Sequence, residues 1–388
     1  MHSQQEVIII GSGPSGLAAA KVLRDAKIDV TILEKGGKSG SKNFYSSVIN
    51  KEAYENVFGS FVSSGRFISE YRAYLLTEDS SIFINAQAKE KNNFSILRES
   101  LNDWLTKTIE TSGAKILYEN VVTELIVKDG KVCGVKCEDI EYFANVVIIA
   151  EGANSILTKN AGLRAGDPSQ DEMFLFVEEN ISLPSEIIEE RFNLQKGFGT
   201  ATKLFTSSFF GIPSIAYMHT NKDSISLSTG VLLSESIKSR ININEYQEKL
   251  KKHPNIKLLI ADGTVKNYSS YMLPVLSLEK NVTVFPKFYT HGCLVTGSAA
   301  MLVNLFNWDL STLAIISGKT AAETIIRAKE LGDYSAKTLC YYEKALEETT
   351  EYKAENNLSI LLTGKDSDTS VLNNLSAVVM KGNYEGSK

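Results

Sequence analysis

The chain has 388 residues, 43% of them hydrophobic, with 41 lysines and arginines against 46 acids and a formal charge of −5. Both signs of charge run the length of the chain, which argues against nucleic acid as a partner, and no apolar run reaches the length of a membrane span. Four cysteines (Cys133, Cys137, Cys293, Cys340) and four histidines (His2, His219, His253, His291) show no C-x-x-C pair and no metal-ligand spacing. No metal site is therefore expected, and a reducing, cytoplasmic setting is.

The N-terminus leads straight into Val7-Ile8-Ile9-Ile10, which leaves no room for a signal peptide. Gly11-Ser12-Gly13-Pro14-Ser15-Gly16 follows, then Leu17-Ala18-Ala19-Ala20 and, later, Val30-Thr31-Ile32-Leu33-Glu34. Strand, glycine turn, helix, second strand and terminal acid make one βαβ unit for a dinucleotide. Gly11 allows the tight turn, Gly13 lets backbone approach a pyrophosphate, and Gly16 lets the helix pack on the sheet. The helix that Pro14 and Ser15 open offers free N–H groups and partial positive charge to phosphate. Glu34 is placed to accept hydrogen bonds from a ribose diol and to repel a 2′-phosphate. Alone, this unit fits NAD or FAD.

Lys35 begins a loop rich in glycine and lysine that runs to Asn43. Residues 71–77 and 81–85 read as strands. Leu101, Trp104, Leu105 and Ile109 follow helical spacing, and Gly113 ends that helix. Residues 115–118 form a short strand. Residues 121–127 and 132–137 make a hairpin about a type I′ turn at Asp129-Gly130. Residues 143–150 are a buried strand leading into Glu151-Gly152-Ala153-Asn154-Ser155. From 165 to 275 alternating stretches, such as 224–228 and 268–273, predict a second, mostly antiparallel sheet with a helix over 243–252. Residues 292–300 return to strand–glycine–helix form. Long helices are expected over 313–331 and 334–352, and the tail beyond Gly364 is polar. The dinucleotide domain is thus interrupted, with pieces at 1–49, 92–164 and 276–345. Residues 50–91 and 165–275 form an inserted substrate domain, and 346–388 a helical tail frayed at its end.

The later segments favour FAD. Thr296-Gly297-Ser298-Ala299 is a second glycine turn, placed for the ribityl and pyrophosphate region, with a following helix aimed at the flavin. With Glu151-Gly152 this set resembles the FAD superfamily of para-hydroxybenzoate hydroxylase and the geranylgeranyl reductases. Gly40-Ser41-Lys42-Asn43, Leu97-Arg98, Arg191-Phe192-Asn193-Leu194, the stretch from Thr220-Asn221-Lys222 to Leu227, and Phe285-Pro286-Lys287 resemble its FixC branch, the electron-transfer flavoprotein–quinone oxidoreductases. The resemblance runs from about residue 6 to about residue 345. It implies an α/β plus α+β protein: a Rossmann-like FAD-binding domain interrupted by a mostly antiparallel β-sheet substrate domain, with a helical C-terminal segment. It places Gly11, Gly13, Gly16, Glu34, Lys42, Asn43, Arg98, Val122, Glu151, Gly152 and Gly297 at or near FAD. Pro14, Ser15, Lys35 and Ser298 complete the expected cofactor set.

Three departures from the family pattern cluster at the flavin ring. Ser46 and Ser47 stand where the family has two glycines. Ser298 replaces an aspartate. Asn304-Leu305-Phe306-Asn307-Trp308-Asp309-Leu310 replaces a glycine-bearing loop. Ser46, Ser47, His219, Trp308 and Asp309 are accordingly the catalytic or substrate-contact candidates. His219 reads as a proton relay or as a satisfied sheet histidine. Asp309 reads as a ligand contact or as a residue near a helix cap. Lys42 reads as a charge near the flavin or as a solvated loop lysine. Phe209-Phe210-Gly211-Ile212-Pro213 reads as the lining of a substrate cavity, and a peripheral membrane contact is the alternative. No hydrolytic triad or paired-carboxylate site is legible, and a flavoenzyme needs none.

Three functions fit. The first is a soluble FAD oxidoreductase, a dehydrogenase or reductase, acting on a small organic molecule. The second passes electrons from an electron-transfer flavoprotein to quinone, with the ferredoxin-like module supplied by a separate chain. The third is a degenerate scaffold subunit without catalysis.

Overall fold

The computed structural model describes residues 4–40, 45–60, 65–88, 92–164, 169–274, 287–303 and 311–353. In chain order it opens with β1 (Gln5–Ile10), α1 (Pro14–Asp25) and β2 (Val30–Leu33). Next come β3 (Ser46–Asn50), α2 (Lys51–Phe58), β4 (Arg66–Leu76), β5 (Ser81–Gln87) and β6 (Asn93–Leu97). Then follow α3 (Arg98–Thr111), β7 (Lys115–Leu117), β8 (Val122–Lys128), β9 (Lys131–Cys137), β10 (Ile140–Ile149) and α4 (Ile156–Asn160). The middle of the chain holds β11 (Met173–Ser182), α5 (Ser185–Arg191), β12 (Phe198–Phe205), α6 (Ser207–Phe210), β13 (Ser214–Thr220) and β14 (Ser224–Leu232). It continues with α7 (Leu233–Lys238), α8 (Ile243–Lys252), α9 (Pro254–Lys257) and β15 (Thr264–Pro274). The last elements are β16 (Tyr289–Thr290), β17 (Cys293–Val295), α10 (Thr312–Leu331), α11 (Ala336–Leu339) and α12 (Tyr341–Glu348).

The first sheet has the order β16-β17-β10-β1-β2-β7, with the β8–β9 hairpin continuing from β10. β1 pairs in parallel with both β2 and β10, so the strand order reverses beside it. A crevice opens there at the carboxyl ends of the strands, where α/β sheets bind ligands. Val7 to Ile10 are buried on both faces, which is why they read as an unbroken apolar run. Two helices cover one face at close range: the alanines of α1 and Gly318 of α10 leave no space between them. A Cβ on Gly318 would lie 2.1 Å from the Ser15 carbonyl oxygen. Asp129 and Gly130 both take positive φ, as a type I′ turn requires.

The second sheet has the order β15-β11-β14-β13-β12-β4-β6-β3, with β5 on β4. It is antiparallel except for β12 against β4. One face is apolar: Leu204, Met218, Ile225 and Leu227 pack with residues of α5, α6, α8 and α9. Arg66 holds one end of the sheet together. Its guanidinium donates to the carbonyls of Asn221, Phe198 and Lys222 and pairs with Glu189 at 2.9 Å.

Four expectations change. β3 and β6 pair with each other, and β6 pairs with β4, so residues 46–50 and 93–97 sit in the second sheet rather than with the dinucleotide unit. The expected 334–352 helix is two short helices, α11 and α12, which meet at Cys340. Asp333 accepts from the Ser335 and Thr338 hydroxyls before the first, and Thr349 leaves helical geometry after the second. Phe209 and Phe210 are core residues, packed on Tyr246 and His253 of the helical layer. Their rings are turned into the core, and they are not on the wall of the large cavity beside β1. The Gly297 turn continues as a short 3-10 turn, Gly297–Ala300, and the long helix starts only at Thr312.

Candidate functional site

The crevice beside β1 opens into a cavity of about 740 Å³. At its first end the glycine turn leaves β1. Gly11 has φ +101°, and a Cβ there would lie 2.5 Å from the Ala150 carbonyl oxygen. Gly16 is closed in by the Gly11 carbonyl and Ile9, so its role is packing and it is not on the wall. A Cβ on Gly13, which lines the cavity, would meet no described residue beyond its chain neighbours within 4 Å. Gly13 caps α1 without a side-chain hydrogen bond, and the first turn carries no acid. The N–H groups there are open to an anion.

Glu34 ends β2 on the same wall. Its carboxylate accepts from the Ser12 N–H at 2.8 Å, the Ser12 hydroxyl at 2.7 Å and the Gly36 N–H at 2.7 Å. These bonds fix its position at the cavity edge. Lys35, Val122 and Gly152 line this end too, with Gly152 at φ +85°. Glu151 lies on the wall, but its carboxylate caps α4 through Leu157 and Thr158.

At the other end Gly297, at φ +61°, donates its N–H to Ser317 of α10, and Ser298 lines the wall. The N-terminal turn of α10 reaches the cavity at Ser311 and Ala314. Arg98 opens α3, and its guanidinium lies 5.7 Å from the Tyr45 ring centroid. Of the serine pair, Ser47 lines the cavity. Ser46 stands behind it, its hydroxyl donating to Asn221. His219 is likewise off the wall, buried in β13. Burial and the neighbouring Lys203 push its imidazole down to about 4, so it is neutral at physiological pH. Lys42, Asn43, Trp308 and Asp309 lie outside the described residues.

Four cavity-lining residues carry buried polar atoms with no hydrogen-bond partner among the described residues: Ser47 Oγ, Arg98 Nε, both amide atoms of Asn102, and Thr296 Oγ1. Unpartnered buried polar atoms also occur away from the wall, as at Asn180 and Ser269, but those on the wall border a cavity where a ligand can pair them. The donors, the open α1 terminus and the Glu34 carboxylate fit an extended dinucleotide. Sequence reasoning missed Asn102, Tyr45 and Tyr271 on this wall. Asn102 had a signal, as a polar residue on the apolar face of the helix that Leu101 and Leu105 define.

A long cavity that starts at a βαβ glycine turn and ends against a second sheet fits a dinucleotide-dependent oxidoreductase. The pyridine nucleotide-disulphide oxidoreductase family model matches residues 5–179. The chain is 32% identical over 356 residues to Protein FixC of Bradyrhizobium diazoefficiens, covering 89% of this chain and 81% of that one. It is also 32% identical over 355 residues to the probable electron transfer flavoprotein-quinone oxidoreductase YdiS of Escherichia coli, with the same coverage. Among solved structures it matches a geranylgeranyl bacteriochlorophyll reductase-like protein of Thermoplasma acidophilum, with a TM-score of 0.72 at 18% identity over 98% of each chain. It also matches PqsL, a probable FAD-dependent monooxygenase of Pseudomonas aeruginosa, with a TM-score of 0.68 at 14% identity over 96% of this chain and 100% of that one. The chain belongs to the FixC family of FAD-dependent oxidoreductases.

Proposed function

We propose that the cavity holds FAD stretched along its length, and that the protein uses it to oxidise or reduce a small organic molecule. The unpartnered polar atoms on the wall carry this reading. In it, Glu34 accepts from the adenosine ribose, Gly13 and the start of α1 receive the pyrophosphate, and Gly297 and Ser298 meet the ribityl chain. The flavin end then faces Tyr45, Ser47 and Tyr271. Bound there, FAD supplies the two-electron chemistry. The protein orients it and shapes what reaches it. Residues 1–49, 92–164 and 276–345 act as the FAD-binding domain in this proposal, although β3 and β6 pair in the other sheet.

A second reading has support in the name of YdiS: electrons pass from an electron-transfer flavoprotein to quinone; a separate ferredoxin-like chain as a further partner belongs to this reading and rests on the resemblance alone. Among the described residues no helix is long and apolar enough to cross a membrane. We place the protein in the cytoplasm. The test separates the two readings. The FAD-loaded protein is reduced anaerobically and offered a short-chain quinone, and flavin reoxidation is followed in wild type and in Trp308→Gly. Slow reoxidation by wild type, with FAD retained in the variant, supports the small-substrate reading. Rapid quinone turnover coupled to an electron-transfer flavoprotein donor supports the second.

A further inference from the structure

The second sheet has a polar face that the proposed function leaves unused. Side chains alternate along a strand, and the register puts Glu178 of β11 on one face with Ser226 and Ser228 of β14, Tyr217 and His219 of β13, and Lys203 of β12. All six are buried. The opposite face of the same strands is the apolar one under the helices.

Glu178 is the centre of a connected network. The Ser46 N–H donates to its Oε1 at 2.6 Å, and the Tyr271 hydroxyl bonds its Oε2 at 3.1 Å. Ser226 reaches it as well. The Ser46 hydroxyl donates to Asn221 Oδ1 at 3.0 Å, and the Asn221 amide donates to the Ser226 hydroxyl at 3.0 Å, which closes a ring. Glu178 is not on the cavity wall, but Tyr271 is. The Tyr271 ring stacks on Phe176 at 5.4 Å and lies 4.7 Å from the ring of Tyr45, which also lines the cavity. Tyr271 is therefore where the buried network meets the ligand space.

We propose that Tyr271 and Glu178 form a proton-transfer pair between the flavin end of the cavity and this buried network. The proposal rests on the reading above that the flavin end of FAD faces this wall. With Glu178 protonated, its Oε2–H donates to the Tyr271 oxygen across the same 3.1 Å contact and the Tyr271 O–H turns to the cavity. The carboxyl proton then passes to the tyrosine oxygen as the tyrosine proton moves to a basic nitrogen or oxygen there, and in the resulting carboxylate Tyr271 donates back to Oε2. One proton crosses and no electrons move. Glu178 is left as a carboxylate held by the Ser46 N–H and the Ser226 hydroxyl, and the reverse transfer resets it. The acceptor is a conjugated group that becomes basic as it gains electrons. Tyr271 is then a catalytic residue and Glu178 a positioning residue.

The electrostatics agree with the geometry. Burial pushes the Glu178 carboxyl up to about 8, against the pull of Ser46, Tyr271 and Ser226, so it holds its proton at neutral pH. Burial and the adjacent carboxyl hold Tyr271 well above its ordinary value, so it stays a phenol. The groups facing Glu178 are Tyr271 on β15, Tyr45 before β3, Ser226 on β14, and Tyr217, His219 and Lys203 further along the face. Glu179, on the opposite face, pairs with Lys251 and serves as the control.

The experiment is a pH titration of the visible flavin absorption of the FAD-loaded protein, in wild type, Glu178→Gln, Tyr271→Phe and Glu179→Gln. Wild type should show one ionisation with a midpoint of about 8. Glu178→Gln should lose it. Tyr271→Phe should move it to higher pH, because the hydroxyl bond that favours the carboxylate is gone. Glu179→Gln should leave it in place. If Glu178→Gln does not fold, the upward shift in Tyr271→Phe decides. A yellow wild-type protein with no ionisation between pH 6 and 10, or the same midpoint in Tyr271→Phe, overturns the proposal. A protein that takes up no flavin overturns the functional reading instead.

Discussion

The two ends of the cavity are built in opposite ways. At the Glu34 end, backbone does most of the work: a glycine turn, a helix terminus and one carboxylate, all within thirty-odd residues of one βαβ unit. At the Tyr271 end, side chains from distant segments meet. Ser46 comes from β3, Glu178 from β11, Asn221 from the β13–β14 turn and Tyr271 from β15. A backbone cradle needs few residue types to receive a phosphate-bearing ligand. An assembly of side chains can be re-equipped position by position.

The sharpest way to break the first end is Gly13→Val. A branched side chain would fill the space that the proposed function gives to the pyrophosphate, since no described residue beyond its chain neighbours lies within 4 Å of a Cβ there. FAD content per folded chain should fall to near zero while circular dichroism shows the fold intact. The other end depends on Arg66, which is 2% exposed and tied to the β13–β14 turn and to Glu189. Arg66→Met should lower unfolding stability by about 3–5 kcal/mol, since it strips a buried charged group from its partners. A urea midpoint unchanged from wild type would show that the polar end does not need this clamp.

Smaller effects sharpen the contrast. Gly318→Ala should destabilise by about 1–3 kcal/mol, because the new Cβ would collide with the Ser15 carbonyl. The same shift displaces α1, so FAD affinity should fall with thermal stability. Lys203→Met tests the polar face by its pH dependence. Burial pushes the Lys203 amine down to about 7 in the folded chain, from 10.5. The cost of burying its charge is therefore complete below about pH 7 and fades as pH rises toward 10.5. The melting temperature of the variant, relative to wild type, should gain most at pH 6 and least at pH 10.

The first end was legible in the sequence because its parts are local. Gly11, Gly13, Gly16 and Glu34 each took the place that their spacing demands. The hairpin turn at Asp129-Gly130 and the helix Ile243–Lys252 were legible for the same reason. The far end was not. Ser46 and His219 were singled out from the sequence, yet both sit behind the wall, because only strand register decides which face a residue occupies. Glu178 went unread although it follows the apolar run of residues 173–177 in β11, where a buried acid is unusual. Phe209 and Phe210 looked like a free apolar loop, and α8 covers them. Their partners lie more than thirty residues on, beyond the reach of periodicity.

The most direct test of the account is the flavin that the purified wild-type protein carries. Its absorption spectrum is recorded, the protein is precipitated with acid, and the supernatant is analysed for FAD against the amount of chain. The account predicts a yellow protein that releases about one FAD per chain, non-covalently held. A colourless protein that gains no flavin on incubation with FAD would contradict it.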